Sequence, residues 1–245
     1  MRTIYFDYNA TTPLDPSVRE AMLPFLDESY GNPSSLHHVG RQARAALDEA
    51  HERVAQVWGC KPSEVVFTSG GTESVNLALF GAARQMRDRG RHIITSSVEH
   101  HAVLQSCQYL ERQDGFKVTY LPVDMDGFVS LEALENSMRA DTILVSVMAA
   151  NNETGTLQPI AEIGALCRNR NVVFHTDAVQ VFGKESFSSI HQFQADLVSV
   201  CAHKFHGPKG AGALFIRSPF DPIRFFLGVV MSRNAGRAPR IFLPS

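Results

Sequence analysis

The stretch EVVFTSGGTES, residues 64–74, contains an apolar run followed by two adjacent glycines and a short polar segment. Residues 65–67 are all apolar, which predicts a short buried strand. The residues beyond Gly71 place apolar side chains at helical spacing, so a helix is expected to begin at about Thr72. A strand that turns directly into a helix is the repeating unit of α/β proteins, and this stretch therefore sets the expected fold class.

The same alternation of strands and helices continues along the chain on both sides of this stretch. It predicts a mostly parallel seven-stranded sheet covered by helices on both faces. In such sheets, ligands bind outside the carboxyl ends of the strands. The predicted strands cover residues 64–68, 91–96, 116–123, 142–148, 171–176, 196–201 and 212–217, and the predicted helices cover 39–57, 72–86, 101–112, 130–138 and 159–170.

The composition is that of an ordinary globular protein of 245 residues. Apolar residues make up 44% of the chain, charged residues 20%, and the formal net charge is −2, which argues against disorder, a membrane span or a nucleic-acid-binding surface. The first residues lack the long apolar core of a signal peptide, so a cytoplasmic location is expected. The four cysteines form no CxxC pair, which argues against a zinc site or a disulfide framework; Cys107 and Cys167 fall in helical patterns and are expected in the core.

Lys204 is the most informative single residue for function. It lies in the segment SVCAHKFHGPKG, residues 199–210, directly after an apolar run that predicts a buried strand. Burial lowers the pKa of a lysine amine, and a neutral amine can attack an aldehyde. These are the requirements for a lysine that holds pyridoxal 5'-phosphate as a Schiff base. On this segment alone, the alternative is a lysine that simply emerges into a polar loop.

Polar residues that could contact the same cofactor follow three other predicted strands. Gly71 and Thr72 begin a helix whose N–H groups and dipole suit a phosphate, although such turns are also common helix starts. His100 could stack on an aromatic cofactor or merely cap a helix. Asn152 could donate a hydrogen bond to a ring hydroxyl or only form a turn.

Asp177 gives a stronger indication because it ends the apolar run at residues 172–174. A carboxylate in that position must be paired or solvated. Paired with a protonated pyridine nitrogen, it keeps the cofactor ring an electron sink. Asp177 and Lys204 follow successive strands, so both can reach one pocket. The set of residues predicts a pyridoxal phosphate site, against a structural coincidence or another ligand in the same crevice.

These residues together resemble the cysteine desulfurases of the class V aminotransferase family. The resemblance runs from about residue 3 to about residue 227. The matching stretches are YFDYNATTP (5–13), GNPSS (31–35), 67–74, Glu99 with His100, 147–155, 175–183, and 203–210.

The resemblance implies a fold-type-I large domain that binds pyridoxal 5'-phosphate, without the family's C-terminal small domain. Lys204 would bind the cofactor covalently, and His100, the second catalytic residue, would stack on the pyridine ring. Asp177 would hold the pyridine nitrogen. Further cofactor contacts would come from Gly71, Thr72, Cys201, Ala202 and His203 around the phosphate and from Gln180 and Asn152 on the ring-hydroxyl side, while Asn9, Ala10, Thr11 and Asn152 would border the substrate.

The implied reaction converts L-cysteine to L-alanine. Lys204 would act as the base at the α-carbon, and a cysteine elsewhere would take the sulfur as a persulfide for a sulfur-acceptor or scaffold protein in iron–sulfur cluster or thiolation pathways. The parent family implies a homodimer. The alternatives are an inactive cofactor-binding fragment or another class V enzyme such as a selenocysteine lyase. Residues 9–13 and 203–204 disfavour a kynureninase-like enzyme.

The chain departs from the family pattern at Cys201, where the family usually has serine. A thiol is a poorer hydrogen-bond donor than a hydroxyl, so weaker phosphate binding is expected. The family's catalytic cysteine loop and its substrate-carboxylate arginine belong to the small domain that this chain lacks. Impaired activity is therefore expected.

The last residues, 228–245, do not follow the family. The tail can be reverse-translated with a choice of codons that, read one base out of frame, gives GHEQKRRAGTPN, and this resembles the family's segment. A shifted reading frame is therefore one hypothesis, and a divergent tail is the other. The expected organisation is an N-terminal arm at the site entrance (1–15), a cofactor-binding large domain (16–227) and this tail.

Overall fold

The computed structural model describes residues 4–220, which form one seven-stranded sheet with helices packed against it. All seven strands expected from the sequence are present, with ends that differ by a few residues. They are Val65–Thr68 (β1), His92–Ser96 (β2), Lys117–Leu121 (β3), Thr142–Ser146 (β4), Val173–Asp177 (β5), Leu197–Cys201 (β6) and Gly212–Ile216 (β7).

Six α-helices lie in the same part of the chain. The long helix expected before β1 and the helix expected after its glycines are both confirmed, the latter beginning at Gly71, one residue earlier than expected. The helices are Pro16–Leu26 (α1), His38–Trp58 (α2), Gly71–Met86 (α3), His101–Gln113 (α4), Leu131–Ser137 (α5) and Ile160–Asn169 (α6), with short 3-10 turns at Pro62–Glu64, Ile190–Phe193 and Ala202–Lys204.

The strand order is β1-β7-β6-β5-β4-β2-β3. Strands β6, β5, β4, β2 and β3 pair in parallel, whereas β7 runs antiparallel to both β1 and β6. The mostly parallel sheet expected from the sequence is therefore confirmed. Parallel pairing brings the carboxyl ends of β4, β5 and β6 to the same edge, where side chains that follow these strands can meet.

Two hydrophobic clusters cover the two faces of the sheet. One cluster includes Trp58 of α2 and Phe174 of β5, and the other includes Leu79 of α3 and Leu110 of α4. Because both faces are covered, the central strands are buried along their whole length. Cys107 and Cys167 are fully buried on α4 and α6, as expected.

Helix α1 differs from the others because it buries no residue. Leu23, Phe25 and Leu26 are all exposed on it. The division of the chain at residues 15 and 227 stays a prediction, and the tail at 228–245 lies outside the described residues. Among residues 4–220, no helix combines the length and the apolar composition that crossing a bilayer requires.

A buried polar chain crosses the central strands near the carboxyl edge. The His175 ring contacts the Ser146 hydroxyl of β4 at 2.8 Å and the Ser199 hydroxyl of β6 at 3.0 Å. The Ser74 hydroxyl of α3 donates to Ser199 at 2.8 Å. Since His175 is fully buried, desolvation lowers the pKa of its imidazole to about 3. The neutral ring thus joins three strands and one helix.

We expect His175 to make folding sensitive to acid. In the unfolded chain its imidazole takes up a proton near pH 6.5, whereas the folded ring stays neutral down to about 3. Its contribution to the free energy of unfolding is therefore complete above pH 6.5 and is lost as the pH falls through that window, by about 1.4 kcal/mol per pH unit. Urea unfolding of wild type and His175→Gln at several pH values between 6.5 and 4 should show wild type losing stability relative to the variant as the pH falls, by about 1.4 kcal/mol per pH unit. Identical slopes would contradict this assignment.

Candidate active site

A cavity of about 460 Å³ opens at the carboxyl ends of β4, β5 and β6. Its volume lies within the range usual for small-molecule sites. It brings together residues that lie far apart in the sequence, including almost every site residue expected from it. Those that line it are Asn9, Ala10, Gly71, Thr72, His100, Asn152, Asp177, Gln180, Cys201, His203 and Lys204.

Lys204 ends the 3-10 turn that directly follows β6. Its Nζ donates to the backbone carbonyls of Asn9 and Ala10, the latter at 3.1 Å. Burial is the main cause that lowers the pKa of the amine, while the charges of Cys201 and Asp177 act in the opposite direction. A lowered pKa increases the fraction of the amine that is neutral, and therefore nucleophilic, at a given pH.

The N-terminal arm, residues 4–15, holds the loop that carries Lys204. The Thr12 N–H and hydroxyl both donate to the His203 carbonyl, at 2.8 and 2.9 Å, and the Thr12 hydroxyl accepts the His206 N–H at 2.7 Å. The Thr11 hydroxyl contacts His203 Nδ1 at 3.1 Å. The arm is thus attached to the loop on both sides of Lys204.

Asp177 is the last residue of β5 and is only 7% exposed. Its Oδ1 accepts the Val179 N–H at 3.0 Å. Burial raises the pKa of the carboxyl, and the Val179 N–H, His100 and Lys204 oppose that rise. The carboxylate is consequently a buried acceptor with the Lys204 amine nearby, which fits pairing with a protonated ring nitrogen.

His100 caps a helix, which is one of the two alternatives that the sequence left open, while its stacking on a cofactor stays a prediction. It is the N-cap of α4, where its Nδ1 accepts the Ala102 N–H at 3.1 Å, and it also lines the cavity. The capping bond fixes the orientation of the ring at the cavity wall.

The start of α3 forms one end of the cavity. The first N–H groups of a helix have no partner within the helix and carry its positive dipole. A Cβ added at Gly71 would lie 3.1 Å from Val179 Cγ2 and 3.5 Å from Cys201 Cβ, so glycine keeps this helix close to the ends of β5 and β6. Glu73 Oε2 accepts the N–H and the hydroxyl of Ser69, each at 2.6 Å, which closes the turn before the helix.

Gln180 and Asn152 are engaged in local contacts. Gln180 Nε2 donates to the Asn9 carbonyl at 3.0 Å, and its Oε1 accepts from Lys184 at 2.7 Å. Asn152 Nδ2 donates to Glu153 Oε1 at 2.7 Å.

Two expected site residues do not line this cavity. Ala202 borders an apolar cavity on the other side of the Lys204 loop, beside Trp58 and Phe205. Thr11 borders a shallower opening next to the start of α3, which it shares with Lys209. Their assignment to the site stays a prediction.

Sequence reasoning missed Glu99 as a site residue, although it stands beside His100. Its Oε1 accepts the Ser96 hydroxyl at 2.6 Å and the Met148 N–H at 2.8 Å. A glutamate between Val98 and His100 gives no local sign of burial. Glu99 does not line the cavity itself, whereas Asp7, Met148 and Glu153 line it without having been expected.

Comparison with known proteins gives a consistent family. Residues 4–226 match the model of the family described as Aminotransferase class-V. The chain is 53% identical over 216 residues to the cysteine desulfurase IscS of Dictyoglomus turgidum. The matched region covers 88% of this chain and 54% of that protein. It therefore spans about half the length of the curated relatives it matches.

Solved structures agree with this result. A NifS-like protein superposes with a TM-score of 0.89 at 45% identity, covering 95% of this chain and 64% of that one. SspA, solved in complex with cysteine, superposes with a TM-score of 0.83 at 42% identity, covering 88% and 62%. Since the family match includes nearly all of the 245 residues, the protein belongs to the class-V aminotransferase family.

Proposed function

We propose that this protein is the cofactor-binding part of a cysteine desulfurase that uses pyridoxal 5'-phosphate. One observation carries the proposal: the Lys204 amine and the buried Asp177 carboxylate line a single cavity at the ends of neighbouring strands. A lysine with a lowered pKa and a buried carboxylate are the two groups that this cofactor requires.

The residues present fit the cofactor. The start of α3 offers free N–H groups and a positive dipole to a phosphate, and Gly71 lets this helix end pack closely against Val179 and Cys201. Thr72, Cys201 and His203 surround the same end of the cavity. Asp177 would pair with the ring nitrogen, His100 would stack on the ring, and Gln180 and Asn152 would lie on its hydroxyl side.

When bound, the cofactor supplies an electron sink that stabilises a carbanion at the α-carbon of an amino acid. The protein's own contribution is positioning and proton transfer. Lys204 would bind the cofactor and then, as a neutral amine, take the proton from the α-carbon. Asp177 would keep the ring nitrogen protonated. Asn9, Ala10, Thr11 and Asn152 would border the amino acid.

L-cysteine is the substrate that the relatives favour. The curated relatives are named cysteine desulfurases, and the SspA structure contains cysteine. In the balanced reaction, L-cysteine and a protein thiol give L-alanine and a persulfide. These names favour a desulfurase over a selenocysteine lyase or a fragment without catalytic function.

The thiol that accepts sulfur is not evident among the described residues. Cys107 and Cys167 are buried in helices, where burial raises the pKa of each thiol to about 12. Cys60 lies outside the cavity, and Cys201 lies against the start of α3. We propose that the acceptor comes from another part of the complete enzyme, which would act as a homodimer and pass sulfur to a scaffold or acceptor protein. The cytoplasmic location stays a prediction.

Loss of the Lys204 amine should abolish covalent cofactor binding. Wild type mixed with pyridoxal phosphate is expected to develop a new near-ultraviolet or visible absorbance band, and Lys204→Ala should not. Lys184→Ala is the matched control. The Lys184 amine lies nearby, where it donates hydrogen bonds to Gln180 Oε1 and Asn9 Oδ1, but it does not line the cavity. A band that survives in Lys204→Ala would refute the lysine assignment.

Cys201→Ser should strengthen cofactor binding by about tenfold, because a hydroxyl donates a stronger hydrogen bond to a charged phosphate than a thiol does. Fluorescence titration with pyridoxal phosphate would measure the dissociation constant. Cys60→Ser, which is remote from the cavity, should leave it unchanged. Equal affinities of wild type and Cys201→Ser would mean that this side chain does not contact the phosphate.

Conversion of L-cysteine to L-alanine should depend on Lys204 but be slow. Because no described cysteine is placed to accept sulfur, we expect a rate at least about a hundredfold below the roughly 10 per second typical of enzymes. Quantified alanine from the cofactor-loaded protein, with Lys204→Ala as background, tests this. Alanine at background would count against the proposed function, and rapid turnover would show that an acceptor thiol is already in place.

A further inference from the structure

Glu99 is a buried carboxyl group that the proposed reaction does not use. It stands one residue before His100 and is only 5% exposed. Its Oε1 accepts two hydrogen bonds, from the Ser96 hydroxyl and the Met148 N–H. Its Oε2 is buried and has no hydrogen-bond partner within residues 4–220. A carboxylate with one oxygen left in this state is costly to bury as an anion.

The two hydrogen bonds of Glu99 join separate segments of the active site. Ser96 ends β2, directly before the turn that carries His100, and Met148 follows β4, before the turn that carries Asn152. A second link lies beside the first, since Asn151 Nδ2 donates to the Val98 carbonyl at 3.0 Å. The spacing of the His100 and Asn152 turns across the cavity thus depends on the Glu99 carboxyl group.

The charge around Glu99 favours its protonated form. Burial raises the pKa of its carboxyl to about 8 although the Ser96 and Met148 hydrogen bonds oppose the rise, and the negative charge of Asp177 adds to it. Cys107 of α4 is another titratable group near it, and burial raises the pKa of that thiol to about 12. No lysine or arginine among the described residues forms an ion pair with it.

Both carboxyl groups accept hydrogen bonds that favour the anion, but Asp177 also has a basic side chain nearby. The charge of Lys204 favours the anionic form of Asp177, and no such charge acts on Glu99. When two carboxyl groups influence each other in a buried site, the negative charge settles where the cations are and the proton settles on the other group.

We propose that Glu99 is a positioning residue that works as a neutral carboxylic acid: it braces the His100 and Asn152 turns and leaves Asp177 as the charged member of this pair of carboxyl groups. The assignment of Asp177 to the cofactor ring rests on the proposed function, whereas the proton on Glu99 does not. Ionisation of Glu99 would place a second negative charge beside Asp177. That charge would suppress part of the ionisation of Asp177, and Asp177 would then bind a protonated ring nitrogen more weakly.

The proton can be tested on the complete 245-residue chain without cofactor. Between pH 4.5 and 8 the folded protein holds a proton on Glu99 that the unfolded chain releases. The unfolding equilibrium constant of wild type should therefore rise by up to about tenfold per pH unit relative to Glu99→Gln, which cannot titrate. Glu132→Gln, an exposed residue of α5, is the matched control and should keep the wild-type slope.

Infrared spectroscopy of folded protein labelled with carbon-13 glutamate provides a readout that needs no unfolding. Wild type at pH 7 should show the carbonyl band of one protonated glutamic acid, and Glu99→Gln should lack it. The proposal would be overturned if the unfolding equilibrium constants of wild type and Glu99→Gln depended on pH in the same way and the band were absent. Glu99 would then be an ionised structural residue.

The positioning role is tested by pyridoxal phosphate affinity as a function of pH. Glu99→Gln keeps both accepted hydrogen bonds and should bind like wild type at pH 7, whereas Glu99→Ala should bind at least about tenfold more weakly. Above pH 8, binding should weaken in wild type but not in Glu99→Gln. Equal affinities of all three proteins at every pH would refute the positioning role. If neither wild type nor either variant binds pyridoxal phosphate while the pH dependence of unfolding still differs, the proposed function is refuted. The assignment of a proton to Glu99 would be unaffected by that result.

Discussion

The parallel pairing of β4, β5 and β6 is the constraint on which the whole site depends. Neighbouring strands lie about 4.8 Å apart, so groups that follow them at one edge fall within the span of a small molecule. The pairing register must also be held, because a slip of one residue would turn Asp177 to the opposite face of the sheet. His175, two residues earlier on the same face, fixes that register through Ser146 and Ser199. A buried polar contact thereby determines where the functional carboxylate lies.

The sequence predicted the sheet and most of the cavity because both follow from local signals. An apolar run that stops at a polar residue predicts where a strand ends, and Asp177 and Lys204 each stand at such a point. The parallel arrangement then requires those ends to meet. Gly71 was equally readable, since a glycine at a strand-to-helix turn indicates a close approach, and the structure places Val179 and Cys201 beside it.

The features that sequence reasoning missed are those created by contacts between distant segments. The antiparallel direction of β7 leaves no mark on its own residues, which form an apolar run like those of the parallel strands. The raised pKa of the Glu99 carboxyl comes from burial, which depends on distant segments such as the one after β4, whose Met148 N–H the carboxyl accepts. Ala202 was expected to contact the cofactor, but it borders a different cavity from Cys201, so its role stays a prediction.

The attachment of the N-terminal arm to the Lys204 loop has a consequence for how the chain is made. Thr12 leaves the ribosome before its partners His203 and His206, which emerge about 190 residues later. At roughly 5–20 residues per second, the arm waits about 10–40 s without its partner. The arm exposes Ile4, Phe6 and Tyr8 even in the folded protein, so during that interval it is an apolar segment open to chaperones. The cavity is therefore completed only when the Lys204 loop emerges and meets a segment that was made about 190 residues earlier.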